Sequence, residues 1–276
     1  MPTALHPDWL IPDWPAPAGV RAVFSTRAGG VSAPPYQSLN LGSHVGDVPE
    51  AVAANRVRLV QAIGRRTVFL NQVHGSAVLT LDAVTPDDGH IADASVTRQS
   101  QLACTVMVAD CLPVLLATQD GRRVAAAHAG WRGLAGATNT GQDILETTCA
   151  SLKALSPAEE SAAQAAGIIA WLGPCIGPTA FEVGLDVKAA FQAREPQAGE
   201  CFVPLGADQY LANLPALARL RLHALGITQV YGNDGSLPWC TVRNPSRFFS
   251  HRRDAGVNGN GLGTTGRMAA CIWRDG

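Results

Sequence analysis

Three apolar runs lie close together in the middle of the chain, and each is shorter than an ordinary helix. They cover residues 103–108, 113–118 and 124–127. Continuous apolar runs of this length are typical of strands that are buried on both faces of a sheet. We therefore expect the fold to be built on a sheet whose two faces are both covered.

The rest of the sequence predicts further strands and helices in an irregular order. Strand patterns occur at residues 21–26, 67–73, 77–81, 168–172, 228–231 and 268–273. Helical patterns occur at residues 49–63, 139–152, 185–193 and 208–225, and a capping box with proline at the first helical position announces another helix at Ser156. Without strict alternation or an internal repeat, these elements predict an α/β fold with a mixed sheet, or two stacked sheets, flanked by helices. Residues 1–19 are expected to form an irregular, proline-rich lead-in.

Composition and charge narrow the classes of partner. The formal net charge is −1 and only 16% of the 276 residues are charged, so we expect neither nucleic acid nor a membrane as partner. No apolar stretch approaches the roughly 20 residues that span a bilayer, and the N-terminus does not resemble a signal peptide. The seven cysteines are irregularly spaced and odd in number, which is typical of reduced thiols. We expect a cytoplasmic protein.

The unusual side chains follow strands, at the points where the chain enters a turn. His74, Cys111 and His128 each come after a predicted strand. Strand ends allow a rigid sheet to present side chains to a cleft. Two histidines and one cysteine leave the fourth tetrahedral position of zinc open, as catalytic zinc sites require. Zinc would bring the pKa of a water in that position near 7.

Two other interpretations of these three residues remain open on spacing alone. The histidines are also compatible with hydrogen-bonded core residues, and the cysteine with simple packing. Alternatively, Cys111 is a thiolate nucleophile with His128 or His74 as its base, and no metal takes part.

Four further residues stand out in the sequence, but the signal for a functional role is less specific. Arg27 precedes the Gly29-Gly30 turn and suits an anion such as phosphate, although 19 arginines against two lysines weaken the case for any single arginine. Arg253 is expected on a solvated, salt-bridged surface. Cys175 is expected to be structural, and Glu182 is a candidate proton carrier.

Several catalytic motifs are absent from the sequence. It contains no Walker-type phosphate loop, no dinucleotide fingerprint and no His-Glu-x-x-His. The base-deaminase pattern of His-x-Glu with a later Pro-Cys-x-x-Cys is also absent.

Seven ordered segments resemble one known family over most of the chain. They are Ser25-Thr-Arg-Ala-Gly-Gly-Val-Ser32, Ser38-Leu-Asn-Leu-Gly-Ser-His-Val-Gly-Asp47, Asn71-Gln-Val-His-Gly75, Ala109-Asp-Cys-Leu-Pro-Val114, Ala127-His-Ala-Gly-Trp-Arg-Gly133, Gly173-Pro-Cys-Ile-Gly177 with Phe181-Glu-Val-Gly184, and Phe249-Ser-His-Arg-Arg-Asp254 with Gly266-Arg267. The family is known as the laccase-domain or polyphenol oxidase family, as multifunctional purine nucleoside phosphorylase and as peptidoglycan editing factor.

The resemblance implies a layered α/β/β/α sandwich with mixed sheets, formed by residues 20–276 as a single catalytic domain. It also implies a metal, zinc or alternatively copper, bound by His74, Cys111 and His128.

The activity that the resemblance favours is purine nucleoside chemistry. This comprises phosphorolysis of adenosine, inosine and methylthioadenosine, together with deamination of adenosine. Arg27, with Asn40 or Arg267, is expected to hold phosphate, and Asn71 and Gln72 complete the expected substrate-binding set.

The family names leave other activities open. The first alternative is a cysteine-dependent amidase that removes L-Ser from a cytoplasmic UDP-MurNAc peptidoglycan precursor, with Cys111 as nucleophile and His128 as base. A non-catalytic binding module is a further alternative. Copper-dependent polyphenol oxidation is the least favoured, because four coppers need many histidines. The chain has seven, no His-x-His pair, and four of the seven lie outside the strongest motif ends: His6, His44, His90 and His223.

Overall fold

A computed structural model describes residues 4–138, 140–155, 167–254 and 264–276 of the chain. The strands are β1 (Val20–Phe24), β2 (Arg66–Thr67), β3 (Leu70–Asn71), β4 (Val78–Thr80), β5 (His90–Ile91), β6 (Ala94–Thr97), β7 (Leu102–Val108), β8 (Leu112–Thr118), β9 (Val124–Ala129), β10 (Ile168–Leu172), β11 (Glu182–Gly184), β12 (Phe202–Gly206), β13 (Gln209–Ala212), β14 (Val230–Gly232) and β15 (Met268–Arg274). The helices are α1 (Pro49–Ile63), α2 (Trp131–Ala135), α3 (Ile144–Ala154), α4 (Leu185–Arg194), α5 (Leu214–Ala224) and α6 (His251–Asp254), with short 3₁₀ turns at Pro196–Cys201 and Leu237–Trp239.

Two mixed sheets form the centre of the fold. The four-stranded sheet has the order β1-β15-β7-β2, and only its β2–β7 pair is parallel. The six-stranded sheet has the order β14-β10-β8-β9-β6-β4, with parallel pairs at its two edges and antiparallel pairs between them. A three-stranded sheet, β11-β13-β12, and the β3–β5 pair are smaller additions.

Three hydrophobic cores separate four layers. Along β8, alternate side chains face opposite ways, so Leu115 and Ala117 enter a core shared with β1, β7 and β15, which is the core between the two sheets. Leu112, Val114 and Leu116 enter a second core with α3, α4 and α5. The outer face of the four-stranded sheet packs against α1 in a third core. The predicted α/β/β/α sandwich with mixed sheets is therefore confirmed.

Local sequence explains where the main helices begin and end. Helix α1 has Pro49 in its first turn and ends at Gly64, whose φ of 65° is readily adopted by glycine. Its buried face includes Leu59 and Ile63, which pack on the four-stranded sheet. Asp143 caps α3 by accepting hydrogen bonds from two main-chain N–H groups, and Asn213 caps α5. None of the described helices has the length and apolar character needed to cross a bilayer.

Three of the predicted elements differ from the structure, and one lies outside the described residues. The helix predicted over 139–152 begins later, at Ile144, after the Asp143 cap. The helix predicted over 208–225 is wrong in its first part, because Gln209–Ala212 is a strand and the helix starts only at Leu214. In place of the strand predicted over 67–73, the structure has two short strands, β2 and β3, of two residues each. The helix predicted from Ser156 lies outside the described residues, as does most of the 256–266 loop.

The chain crosses from one sheet to the other immediately before β8. Strand β7 belongs to the four-stranded sheet and β8 to the six-stranded sheet, so residues 109–111 form the crossing. Cys111 lies in this crossing, and the last residues of β9 lie beside it, since Leu112 pairs with Ala129.

Candidate metal centre and its cavity

His74, Cys111 and His128 come together at the end of the six-stranded sheet. Their donor atoms all lie within 4.8 Å of one another, and Nε2 of His74 is 3.6 Å from Sγ of Cys111. The two imidazole rings lie 4.8 Å apart at an interplanar angle of 69°. His128 is buried, Cys111 is partly exposed and His74 is exposed, so the group has a closed side and an open side.

Unusual backbone conformations occur beside this group. His74 has a φ of 61° and Asp110, next to Cys111, has a φ of 89°. Such values cost a non-glycine residue about 1 to 3 kcal/mol each, and they persist where the surrounding contacts enforce them. The Asp110 carboxylate provides such contacts, because it accepts a hydrogen bond of 2.5 Å from the Thr241 hydroxyl and one of 2.6 Å from the Arg252 N–H.

At two positions in the segment after β9, the neighbouring atoms leave room only for glycine. A Cβ atom on Gly130 would lie 2.8 Å from Cδ2 of His74 and 3.2 Å from Sγ of Cys111. A Cβ atom on Gly133 would lie 2.8 Å from the carbonyl oxygen of Gly75. The His-Ala-Gly-Trp-Arg-Gly motif therefore keeps the chain after β9 close to the loop that carries His74.

A buried carboxylate, Asp93, supports two of the three candidate ligands. Its Oδ1 lies 2.8 Å from Nδ1 of His128 and accepts the main-chain N–H of His74 at 2.9 Å. Its Oδ2 accepts the N–H of Gly75 at 2.7 Å and that of Val73 at 3.2 Å. Sequence reasoning missed Asp93, which lies 19 residues from His74 in an otherwise unremarkable segment before β6.

The electrostatics of the group favour a thiolate beside an imidazolium when no metal is bound. Burial alone would raise the pKa of Cys111, but His128 and His74 outweigh it and lower this pKa to about 6. Burial alone would lower the pKa of His128, but Cys111 and Asp93 raise it to about 9. Burial also opposes ionisation of Asp93, but its hydrogen bonds from His128, Gly75 and Val73 leave its pKa below the ordinary value.

The donor set fits a tetrahedral ion such as zinc. Zinc binds cysteine sulfur at about 2.3 Å and histidine nitrogen at about 2.0 to 2.1 Å, which places neighbouring donors roughly 3.4 to 3.6 Å apart. The separation of 3.6 Å between Cys111 Sγ and His74 Nε2 agrees with that spacing, and the whole donor set lies within 4.8 Å. Asp93 is the carboxylate partner that metal-binding histidines commonly have. Within the described ranges, this is the one group of three or more histidine, cysteine or acidic side chains close enough to hold an ion.

A cavity of about 320 Å³ opens above the three donors, at the lower end of the size range of small-molecule sites. Part of its wall is apolar and part is basic. The apolar and aromatic lining consists of Met107, Val108, Ala109, Trp131, Ile176, Phe181 and Leu214. The basic lining beyond the donors consists of His44, Arg132, His251, Arg252 and Arg267.

The three arginines of the cavity have no carboxylate partner in the described part of the chain. Arg252 donates to the carbonyl of Glu182, Arg267 donates to that of Thr265, and Arg132 lies over the Trp131 ring at 4.5 Å. Burial lowers the pKa of Arg267, while the charges of Cys111 and Asp110 act in the opposite direction. Guanidinium groups that form no ion pair are suited to binding an anion in a partly apolar cavity.

Of the other residues predicted to bind substrate, Arg267 and Gln72 line the cavity, whereas Arg27, Asn40 and Asn71 do not. Both polar atoms of the Gln72 amide bond the main chain of Met107, at 2.7 and 2.8 Å, so this side chain joins the His74 loop to β7. Arg27 donates to the carbonyls of residues 37 and 245, which ties two loops together.

Asn40 is buried and contacts the cavity only indirectly. Its Oδ1 accepts hydrogen bonds from the N–H groups of Arg267 and Gly42, while its Nδ2 donates to Asp47 and to the Gly42 carbonyl. Because all its hydrogen-bonding capacity is used within the protein, Asn40 orients the segment that carries Arg267. Asn71 is exposed and pairs with Ile91 in the β3–β5 sheet.

The four candidates of lower specificity lie outside the cavity. Cys175 is fully buried and burial raises its pKa, as expected for a structural thiol. Glu182 is exposed on β11. Arg253 forms an ion pair with Asp254 and is only partly exposed, because it also donates to the carbonyls of Thr241 and Phe248. His44, left outside the strongest motif ends on sequence grounds, does line the cavity.

The fold and the site define a layered α/β/β/α protein with a His–Cys–His centre near the crossing between its two sheets. The family described as multi-copper polyphenol oxidoreductase laccase matches residues 21–275. This chain belongs to that family, as its motifs predicted.

Known relatives are similar over nearly their whole length. A purine nucleoside phosphorylase of Pseudomonas aeruginosa and purine nucleoside phosphorylase YfiH of Escherichia coli K12 are each 46% identical over 266 residues, which cover 96% of this chain and 98% of theirs. The crystal structure of Neisseria meningitidis protein NMB0706 is 46% identical, with a TM-score of 0.83 over 98% of this chain and 100% of that one. The crystal structure of YlmD from Geobacillus stearothermophilus is 31% identical, with a TM-score of 0.77 over 95% and 94% of the two chains.

Proposed function

We propose that this protein is a zinc-dependent purine nucleoside enzyme that cleaves adenosine, inosine and methylthioadenosine with phosphate and also deaminates adenosine. The observation that carries the proposal is that the His74–Cys111–His128 donors, an apolar wall and three arginines without an ion pair in the described residues line one cavity. The printed names of the relatives from Pseudomonas aeruginosa and Escherichia coli support phosphorolysis.

The two kinds of cavity wall match the two parts of such a substrate pair. Trp131 and Phe181 offer aromatic surface for a purine ring, and Arg267 with Arg252 offers charge for phosphate. In phosphorolysis a phosphate oxygen bonds to the ribose C1′ while the bond from C1′ to the purine nitrogen breaks. Positive charge develops at C1′, so a phosphate held against that carbon stabilises the transition state.

A metal ion held by the three donors would add its own chemistry to that of the protein. Zinc bound by His74, Cys111 and His128 would supply a Lewis acid and a source of hydroxide at neutral pH. In deamination, a water oxygen adds to C6 of the purine and ammonia leaves. The protein's own part is to hold the purine on the apolar wall with C6 facing the three donors.

The test is product analysis by mass spectrometry on protein of measured zinc content. Wild type, Cys111→Ser and the control Cys201→Ser, which alters a partly exposed thiol outside the cavity, receive adenosine with and without phosphate. We expect phosphate-dependent adenine and phosphate-independent inosine from wild type and control, with both products and zinc lost in Cys111→Ser. Absence of turnover by fully zinc-loaded wild type would refute the proposal for adenosine.

A second candidate is the cysteine-dependent amidase acting on a cytoplasmic muropeptide precursor, and one observation favours it. The Asp93 carboxylate hydrogen-bonds His128, and His128 in turn interacts with Cys111. The orienting carboxylate, base and nucleophile of a catalytic triad are connected in the same way. In that reaction the thiolate attacks the amide carbonyl, His128 protonates the leaving amine, and water releases the acyl group. A chelator distinguishes the two candidates, because it abolishes zinc chemistry but spares or improves thiolate chemistry.

The remaining activities have less support. Four coppers need many more ligands than the described residues bring together, since His6, His90 and His223 lie outside the cavity. A binding module without turnover would retain ligand binding in Cys111→Ser and form no product in wild type.

A further inference from the structure

We propose that Asp93 is a positioning residue whose single carboxylate sets the orientation of both histidine ligands of the metal centre. The proposal rests on the metal dependence proposed above. Asp93 is fully buried, and its two oxygens receive four N–H groups from two separate segments. Among the described side chains other than the three candidate ligands, Asp93 hydrogen-bonds both histidine segments.

For His128, the carboxylate determines which ring nitrogen is available. An ionised carboxylate only accepts hydrogen bonds, so Nδ1 of His128, 2.8 Å away, must carry the proton. The lone pair of Nε2 is then the one that a metal can use. The main chain reinforces this alignment, because the N–H of His128 donates to the Asp93 carbonyl at 2.7 Å.

For His74, the same carboxylate acts through the main chain. The N–H groups of Val73, His74 and Gly75 converge on its two oxygens at 3.2, 2.9 and 2.7 Å. These three bonds hold the loop in the conformation that gives His74 its φ of 61°. Because the His74 side chain is exposed, this backbone conformation is what directs its Nε2 toward Cys111.

Asparagine at this position would match the carboxylate in size but not in hydrogen bonding. Its amide group would replace one acceptor oxygen by a donor. If the NH₂ faces His128, the imidazole must accept at Nδ1 and its proton moves to Nε2, and the N–H of His74 loses its acceptor as well. If the NH₂ faces Val73 and Gly75, it opposes two N–H donors and the His74 loop loses its anchor. Either orientation disrupts at least one histidine ligand.

The test compares Asp93→Asn with Asp143→Asn. Asp143 is also a fully buried carboxylate, but it caps α3 and forms an ion pair with Arg221 rather than contacting a ligand. Zinc and cobalt affinities are measured by chelator competition, with cobalt also followed by its absorption spectrum. Nitrogen-15 NMR of histidine-labelled protein reports the protonation of each ring nitrogen of His128.

We expect metal affinity about 10- to 100-fold weaker in Asp93→Asn, the usual cost of losing such a partner. Asp143→Asn should unfold at a lower temperature and keep the wild-type affinity. Zinc-loaded wild type should show a protonated Nδ1 and an unprotonated Nε2 on His128. Wild-type affinity in Asp93→Asn, or an equal loss in both variants, would overturn the proposal.

A second measurement separates this inference from the proposed function. If wild type binds no zinc, the metal-dependent function fails, and the positioning role is then judged on the metal-free protein. There, Asp93→Asn should lose hydrogen-exchange protection at the His74 and Gly75 amides, while Asp143→Asn keeps it. Unchanged protection in Asp93→Asn would overturn the positioning role itself.

Discussion

Gly130 lies so close to His74 that a Cβ atom on it would be 2.8 Å from Cδ2 of the imidazole. Its φ of −67° and ψ of 159° are open to any residue, so space rather than backbone conformation requires glycine here. The same Cβ atom would be 3.2 Å from the Cys111 sulfur. The chain therefore leaves β9 past two candidate ligands with no room for a methyl group.

Gly130→Ala should lower the affinity for zinc about 10-fold or more, because the added methyl group pushes the His74 ring and the Cys111 thiol apart. Isothermal titration with zinc measures the effect. Gly206→Ala is the matched control, since a Cβ atom there meets no atom within 4 Å. Equal zinc affinity in the two variants would show that the ligands adapt to the added methyl group.

Arg267 and Arg27, both predicted to bind phosphate, should give different results on substitution. Arg267→Met should raise the KM for phosphate about 10- to 100-fold, as expected for loss of a charged hydrogen bond of about 1.5 to 3 kcal/mol. Arg27→Met should lower the free energy of unfolding by about 1 to 3 kcal/mol and leave that KM unchanged, because Arg27 bonds two main-chain carbonyls outside the cavity. Phosphate titrations and urea unfolding of both variants check this, and a raised KM in Arg27→Met would contradict the assignment.

Cys111 should be the cysteine that iodoacetamide modifies first in the native, metal-free protein at pH 7. It is partly exposed and its pKa is lowered to about 6, whereas burial raises the pKa of Cys104 and Cys271 to about 12. Cys201 is also partly exposed, but burial and nearby glutamates raise its pKa. Peptide mapping against time checks the order, and zinc should slow the labelling of Cys111. Faster labelling of Cys201 would contradict this prediction.

Asp254→Asn should reduce the stability of the protein at neutral pH and reduce it less in acid. Burial opposes ionisation of Asp254, but hydrogen bonds from Arg253 and Thr265 outweigh it and lower its pKa. A lowered folded-state pKa stabilises the protein above the unfolded-state pKa of about 3.9, and this contribution is lost as the pH falls through the folded-state value. Urea unfolding from pH 7 to pH 3 should show the two proteins converging. The exposed control Asp13→Asn should change stability by no more than about 0.5 kcal/mol.

The sequence predicted the three candidate ligands through the motifs that resemble the family, because their places near predicted strand ends also allowed a packing role or a thiolate nucleophile. Their motifs also predicted the four-layer fold correctly. Asp93 could not be found in this way, since a single aspartate before β6 has no local signal and its partners are brought to it only by tertiary packing. His251 and Arg252 do belong to a segment that resembles the family, but only the folded structure shows that they line the cavity, where the Asp110 carboxylate helps to hold them.

The error at residues 208–225 has a local cause. Apolar residues in this stretch suit a helical period, but Asn213 and Pro215 provide a cap and a first-turn proline that begin the helix at Leu214. Residues 209–212 instead pair with β11 and β12, a contact that short-range periodicity does not reveal. Similarly, Arg27 and Asn40 are polar residues beside turns, and only the folded structure shows that their hydrogen bonds are used within the protein.

The position of Cys111 in the crossing between the two sheets links the chemistry to the thickness of the core. Side chains such as Trp171 and Phe24, packed between the sheets, set the gap that residues 109–111 must bridge. A larger or smaller side chain there would change the span that this crossing has to cover. The interior of the sandwich thus acts as a spacer for the segment that carries Cys111.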